Sequence, residues 1–305
     1  MEPAFYHIPV LLHPAVEGLH IKRDGTYVDV TLGGGGHSRE IRRHLGEQGR
    51  LFSFDQDEEA ILHVASEHEN DSQWTLVRSN FRYLRNWMRY YGVEHIDGLL
   101  ADLGVSSRHF DEAERGFSFR TDAPLDMRMN QQAHLTAADV VRTYSEKQLT
   151  QLFRLYGELH QAPRLAAAIV RARTKEDIAT TAQLAELLTP LLGHDREKKD
   201  LARAFQALRI EVNHEMDALS EMLSAATDLL APGGRLVVIA YHSLEDRLVK
   251  NIIRAGNIQG DVQTDLYGRT QAPLMAVGKP ISPDSEELAA NPRSRSARLR
   301  IAEKV

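Results

Sequence analysis

The chain contains no cysteine, and that one absence closes several chemical routes. Disulfides and zinc–thiolate sites are excluded. So are a thiolate nucleophile that adds to a pyrimidine ring and the thiolates that hold an iron–sulfur cluster. Long apolar runs are missing too: nothing approaches the roughly 18 residues that a membrane span needs. The opening stretch, MEPAFYHIPVLLHPAVEG, carries an acid, prolines and histidines where a secretory signal needs a basic, unbroken apolar segment. These absences predict a cytoplasmic protein without membrane contact. Metal is not advertised either. His214-Glu215 begins an H-E-x-x-H pattern, but Ala218 stands where the second ligand belongs, so the 14 histidines predict no metal site. Positive charge is in deficit, with 37 Lys and Arg against 43 Asp and Glu and a net charge of −6, so any contact with nucleic acid must come from local basic segments.

What is present is an ordinary globular composition, 42% hydrophobic and 26% charged over 305 residues, enough for one large α/β domain with an insertion. The first third alternates β-rich and helical patterns. Strands are predicted at 26–31, 50–55, 74–79 and 96–104, and helices at 37–45, 58–68 and 80–92. Such βαβα alternation predicts a doubly wound, Rossmann-like parallel sheet, whose ligands bind beyond the carboxyl ends of the strands. Helical spacing alone then follows, at 136–157, 162–173, 180–192 and 198–228. Strand character returns in APGGRLVVIAYHS (231–243) and again at 297–303. The economical reading is one sheet domain, 1–109 with 206–305, interrupted by an inserted helical domain at 110–205 that recognises the substrate.

Chemistry-bearing residues gather at the expected strand ends. The first strand ends in DVTLGGGGHS, placing Gly33, Gly35 and Gly36 at a strand-to-helix turn, and Asp55 closes the second strand. Glycines allow a ligand close to the backbone, while a carboxylate at the next strand tip accepts hydrogen bonds from ribose hydroxyls. A dinucleotide fingerprint would put a third glycine where Ser38 stands, and no tyrosine has a lysine four residues on, as a short-chain dehydrogenase requires. S-adenosylmethionine fits better than a nicotinamide: the glycine turn suits its amino-acid half, Asp55 its ribose, and Phe81, just after the third strand, its adenine. Asp102 ends the fourth strand in LLADLGVSS, beside the cofactor amine or the acceptor amine. A turn aspartate is the competing role.

The motifs HIPVLLHPAVEGL, DVTLGGGGHS, FDQD, LLADLGVSS, RGFSF, PLDMRM, FQALRIEVNHE, APGGRL, YHSLEDR and NPRSRSARLRIAE occur in this order. In them the chain resembles the ribosomal RNA small subunit methyltransferase H family, also called the MraW methylases, nearly end to end. The resemblance implies a class I methyltransferase sheet with a helical insertion. It also implies methylation of the exocyclic N4 amine of a cytidine at the P site of the decoding centre, with 16S ribosomal RNA or the small ribosomal subunit as partner. A homodimer is compatible with it. By position it assigns cofactor contacts to Gly35, Gly36, His37, Asp55, Phe81, Asp102 and His109. His109 stands where the family has a glutamine in S-S-x-Q-L-D, and Leu159 where a second glutamate is usual.

Cytosine N4 is a weak nucleophile, because its lone pair is delocalised into the ring. The enzyme must therefore hold the amine in line with the methyl group and accept a hydrogen bond from it. Asp102 is the first candidate for that catalytic role, and the YHSLEDR run, with His242, Ser243, Glu245 and Asp246, is the second. Apart from the resemblance, a helix start with its usual acids near the N-terminus is the preferred reading of Glu245-Asp246-Arg247. Phe117 and Phe119, with Arg115, Arg120 and Arg128, offer stacking and phosphate contacts for a splayed base, although phenylalanines at alternate positions usually belong to a core. Two basic segments, Arg164 with Arg171, Arg173 and Lys175, and Arg293 with Arg295, Arg298 and Arg300, suit phosphate contact as well as they suit solvated helix faces. Two rivals stand beside methyl transfer. A nicotinamide oxidoreductase leaves Ser38 unexplained, and a non-catalytic ribosome-assembly factor leaves unexplained why the glycine turn, Asp55 and Asp102 occur together.

Overall fold

Seven strands form one sheet among the residues that the computed structural model describes, which are 9–66, 71–104, 113–193, 196–265, 267–268 and 271–305. They are β1 (Thr26–Asp29), β2 (Arg50–Asp55), β3 (Trp74–Arg78), β4 (Ile96–Asp102), β5 (Leu230–Ala240), β6 (Leu274–Ala276) and β7 (Arg298–Lys304), in the order β3-β2-β1-β4-β5-β7-β6. Neighbours from β3 to β5 pair in parallel, whereas β7 runs antiparallel to both β5 and β6. The expected parallel sheet therefore holds for five strands and gains an antiparallel edge, a common arrangement in large sheets. Strand order reverses between β1 and β4, and a doubly wound sheet opens its ligand crevice at such a point.

The strands are buried on both faces, which is why they read as apolar runs rather than alternating ones. Successive residues serve opposite cores. Val28, Phe52, Leu99 and Val238 pack on one side, and Tyr27, Leu51, Leu100 and Val237 on the other. Helices cover these faces: α1 (Leu12–Gly18), α2 (Gly36–His44), α3 (Glu58–Ala65) and α4 (Leu84–Tyr90) among the first strands, with α10 (Glu215–Leu229) and α11 (Ser243–Ala255) later; the short α12 (Ser285–Ala290) follows and buries no residue. The Ala231-Pro232-Gly233-Gly234 turn lies inside β5 as a break in register: Ile96 pairs with Leu230, but Gly98 pairs with Arg235. Gly233 takes a φ of 76° there.

The chain divides into two units, one formed by Met1–Gly104 and Met216–Val305, the other by Val105–Glu215. The second contains α5 (Ala137–Thr143), α6 (Glu146–Leu155), α7 (Ala162–Ala172), α8 (Thr181–Leu188) and α9 (Glu197–Asn213). Its own core includes Leu149, Phe153, Leu165, Ile169, Leu184 and Leu208. The boundary expected at 205 falls inside α9, because Ala204, Phe205, Ala207, Leu208 and Val212 all pack in that one core. The helix ends only where His214 turns left-handed, at φ 50°. Two expected helices are each two: 198–228 breaks at His214, and 136–157 breaks before Ser145. There Ser145 and Gln148 close a capping box for α6, as Thr136 and Asp139 do for α5. Among the described residues, no helix is long and apolar enough to cross a membrane.

Candidate active site

The glycine turn after β1 is held from three sides. Asp29, fully buried, accepts hydrogen bonds from the Ser38 hydroxyl at 2.6 Å and the Thr31 N–H at 3.0 Å. Ser38 also meets the Ser53 hydroxyl at 2.7 Å, and the Trp74 indole donates to Ser53 at 2.8 Å. The residue standing where a dinucleotide site has glycine thus anchors α2 to β1 and β2 through buried polar contacts, each stronger for being shielded from water. Gly33 and Gly35 take φ values of 48° and 78°. At Gly36 a Cβ would lie 2.1 Å from Pro9 Cγ, so the start of α2 admits only glycine beneath the entering chain.

Asp55 joins the turn to the tip of β2. Its Oδ2 accepts the Gly33 N–H at 2.9 Å and its Oδ1 accepts the Asp57 N–H at 2.9 Å. A carboxylate oxygen can accept more than one hydrogen bond, the capacity a ribose-facing acceptor needs. Phe81 lies in a 3-10 turn (Phe81–Tyr83) directly after β3, half-buried at the edge of the sheet core.

Asp102 ends β4 on the other side of the switch point. Its backbone N–H donates to Thr31 Oγ1 at 2.7 Å, and Thr31 is itself tied to Asp29. Its Oδ1 accepts the Tyr241 hydroxyl at 2.7 Å, and its Oδ2 lies 3.9 Å from His37 Nδ1. Burial is the main reason its carboxyl is pushed up to about 6; His37 and the Tyr241 hydroxyl pull the other way, and Asp29 and Glu245 add to the rise. Its side chain still keeps 22% of its surface exposed. The Tyr241 hydroxyl is itself held well above its ordinary range by burial and by the Asp102 charge. His37 is 4% exposed, with Nε2 3.1 Å from the Val10 carbonyl oxygen. It can meet a ligand through its backbone rather than its ring.

The structure brings the glycine turn together with Asp55, and His37 together with Asp102. His109 lies outside the described residues. Glu245 has the helix-start role: it accepts the Tyr241 N–H at 2.8 Å and closes a capping box with His242 at the start of α11. Asp246 binds Arg300 at 2.7 Å and Arg298 at 3.3 Å, so these two tail arginines are already paired. Arg173 donates to the Val141 and Tyr144 carbonyls, both at 2.7 Å, closing the end of α5. Arg164, Arg171 and Lys175 remain exposed. Phe117, 6% exposed, and Phe119, stacked edge-on against Phe205 at 5.3 Å, belong to the helical core and not to a stacking platform. Arg115 donates to the Arg128 and Met129 carbonyls and Arg128 pairs with Asp126, leaving Arg120 as the exposed member of that group. Leu159, 3% exposed, lies in the same core, an apolar setting where a glutamate would be costly. The sequence reading missed Tyr241. Its position one residue past a buried strand was the available signal.

The MraW methylase family model matches residues 4–305. The chain belongs to the MraW methylase family. Relatives extend over its whole length. It is 60% identical over 300 residues to the ribosomal RNA small subunit methyltransferase H of Bacteroides thetaiotaomicron, covering 98% of this chain and 97% of that one. It is 53% identical to the protein of that name from Flavobacterium johnsoniae, covering 98% of each. Among solved structures it aligns with a putative rRNA methylase from Clostridium thermocellum at 14% identity and a TM-score of 0.47, covering 98% of this chain and 99% of that one. A putative methyltransferase from Streptococcus mutans in complex with SAH aligns at 12% identity and a TM-score of 0.43, with the same coverage. As a member of this family the chain is a methyltransferase, with S-adenosylmethionine as its cofactor. The donor set suits that cofactor: a left-handed glycine turn at a helix start, a carboxylate at the next strand tip, and a half-buried aromatic ring after the third strand.

Proposed function

We propose that this methyltransferase modifies the N4 amine of a cytidine in 16S ribosomal RNA, at the P site of the small ribosomal subunit. S-adenosylmethionine supplies an electrophilic methyl group when bound. The glycine turn, through Gly35, Gly36 and the His37 backbone, would hold its amino-acid half, with Asp55 on the ribose and Phe81 against the adenine.

The observation that carries the reading is the state of Asp102. Its Oδ1 is committed to Tyr241, while among the described residues no donor lies within hydrogen-bond distance of Oδ2. An exocyclic amine fits that vacancy, because it has an N–H to donate and gains positive charge as its nitrogen forms the new bond to carbon. A carboxylate fixed beforehand at this position stabilises that charge without reorganising. The proton lost from the methylated amine passes to solvent. Arg164, Arg171 and Lys175, exposed on and just after α7, suit phosphate contact, which supports the helical unit as the part that recognises RNA.

Mass spectrometry of 16S ribosomal RNA nucleosides, from cells with and without this protein, tests the reading. Loss of N4-methylated cytidine on deletion and its return on complementation is the expected result; an unchanged nucleoside profile overturns it. Transfer of labelled methyl to small subunits from the deletion strain, compared with protein-free RNA, identifies which form is the substrate.

A further inference from the structure

Tyr241 follows the last residue of β5, and three separate attachments hold it. Its N–H donates to Glu245 Oε2 at 2.8 Å, and Glu245 is itself 2% exposed at the capped start of α11. Its ring packs on the core that contains Leu100 and Ile239. Gly104, at φ 99°, makes room for that ring: a Cβ there would lie 3.3 Å from Tyr241 Cδ2. Its hydroxyl reaches Asp102 Oδ1 at 2.7 Å. A tyrosine fixed by backbone, ring and hydroxyl can hold a carboxylate in one rotamer far better than water can, since its own freedom is already lost.

We propose that Tyr241 is a positioning residue for methyl transfer, whose hydroxyl fixes the Asp102 carboxyl so that Oδ2 alone is presented to the acceptor amine. This rests on the reading of Asp102 as the acceptor of the amine hydrogen bond. Among the described residues, the groups facing Asp102 are Asp29 from β1, His37 from α2, Tyr241 after β5 and Glu245 from α11. Burial, Asp29 and Glu245 disfavour its ionised form, and His37 and Tyr241 favour it. Tyr241 is the one of those two within hydrogen-bond distance. The rate needs the carboxylate, so removing the hydroxyl moves the acid limb of the rate profile to higher pH.

Tyr241→Phe keeps the ring and removes only the hydroxyl. Asp102 is followed by NMR of protein labelled at the aspartate carboxyl carbons, and single-turnover methyl transfer is measured at saturating cofactor from pH 5 to 9. The expected result is a carboxyl that titrates about one pH unit higher, with the acid limb of the rate moving alongside. The rate at pH 7 falls roughly threefold to tenfold, and part of the deficit persists at pH 9, where only orientation differs. Cofactor affinity stays within about twofold of wild type. In an Asp102→Asn background the same change alters the rate by less than about twofold, since the partner is already gone. Titration and rate profiles that superimpose on wild type overturn the proposal. An unshifted titration beside intact N4 methylation overturns the role of Tyr241 alone. A shifted titration with no N4-methylcytidine in 16S ribosomal RNA overturns the substrate assignment, and with it the amine as the group Tyr241 serves.

Discussion

The two units of the molecule bury different things. In the helical unit the interior is hydrocarbon, and its few buried polar groups serve local structure: Arg115 satisfies two carbonyls, Thr181 bonds the Thr121 carbonyl, and Asp200 faces Arg203. In the sheet unit Asp29, Ser38, Ser53, His37 and Glu245 are buried near the strand ends, around an Asp102 whose second oxygen meets no hydrogen-bond donor among the described residues. Burying polar groups costs stability unless each is satisfied. The contrast teaches where this protein gives up stability for chemistry.

The sharpest way to break that contrast is Asp102→Asn. Single-turnover methyl transfer should fall on the order of 100- to 1,000-fold, as when one fixed charge-stabilising group is lost. Affinity for S-adenosylmethionine, measured by calorimetry, should change by less than about tenfold. The same variant should be more stable than wild type in alkaline buffer. Because folding raises the Asp102 carboxyl to about 6, its favourable contribution is complete below its unfolded value and is lost as pH rises through 6. Asparagine escapes that loss, so thermal unfolding should show a gain of at most about 3 kcal/mol at pH 8 and almost none at pH 4. Equal stability at both pH values would mean that the carboxylate is not strained by its burial.

Leu165→Ala is the counterpart in the helical unit. Leu165 is fully buried, and truncation should cost roughly 2–5 kcal/mol in denaturant unfolding. Calorimetric affinity for S-adenosylmethionine should remain. A comparable loss of cofactor affinity would show that the two units do not separate stability from chemistry in this way.

Asp55→Ala should weaken S-adenosylmethionine binding by roughly 10- to 150-fold, the worth of charge-assisted hydrogen bonds. It should also lower the melting temperature modestly, because Gly33 and Asp57 lose the acceptor of their N–H groups. Affinity equal to wild type would remove Asp55 from the site. The smallest effect is expected at the helical surface. Alanine at Arg164 and Arg171 should flatten the salt dependence of RNA binding by about 0.7–0.9 log units per lost phosphate contact. Arg173→Ala should leave that slope unchanged and destabilise the helical unit, since Arg173 holds the end of α5.

The sequence made the sheet legible, because strands buried on both faces leave unbroken apolar runs that glycine turns punctuate, as in DVTLGGGG and RLFSFD. Helix breaks were hidden where the apolar spacing carries on across them. His214 takes a left-handed conformation that its sequence does not announce, and Ser145 caps a helix inside a continuous periodic stretch. β6 is three residues long, too short to show a period. At the site, Asp55 and Asp102 were legible as candidates from their places at strand tips, where a turn aspartate is the competing role. Tyr241 was not, because only the fold sets β5 beside β4 and brings its hydroxyl to Asp102, 139 residues away. Basic segments were legible only as charge, because a side chain's partner is set by the fold, and Arg173, Arg298 and Arg300 have theirs.

The glycine turn has a bearing on how the protein folds. It is braced by Pro9 beneath Gly36 and by the Val10 carbonyl on His37, and the next residue, Leu11, donates its N–H to Glu287 across 276 positions of chain. Contacts of such separation close late, because the entropy of a long loop must be overcome before they contribute. During synthesis the strap Pro9–Leu11 should therefore lack its Glu287 anchor until α12 has emerged and docked, while Asp29, Ser38 and Asp55 already hold the turn. Cofactor affinity should appear as one of the final events of refolding, after the strands have paired. Stopped-flow refolding that follows strand formation and cofactor binding separately would time the two, and binding that keeps pace with the sheet would show that the brace is not needed.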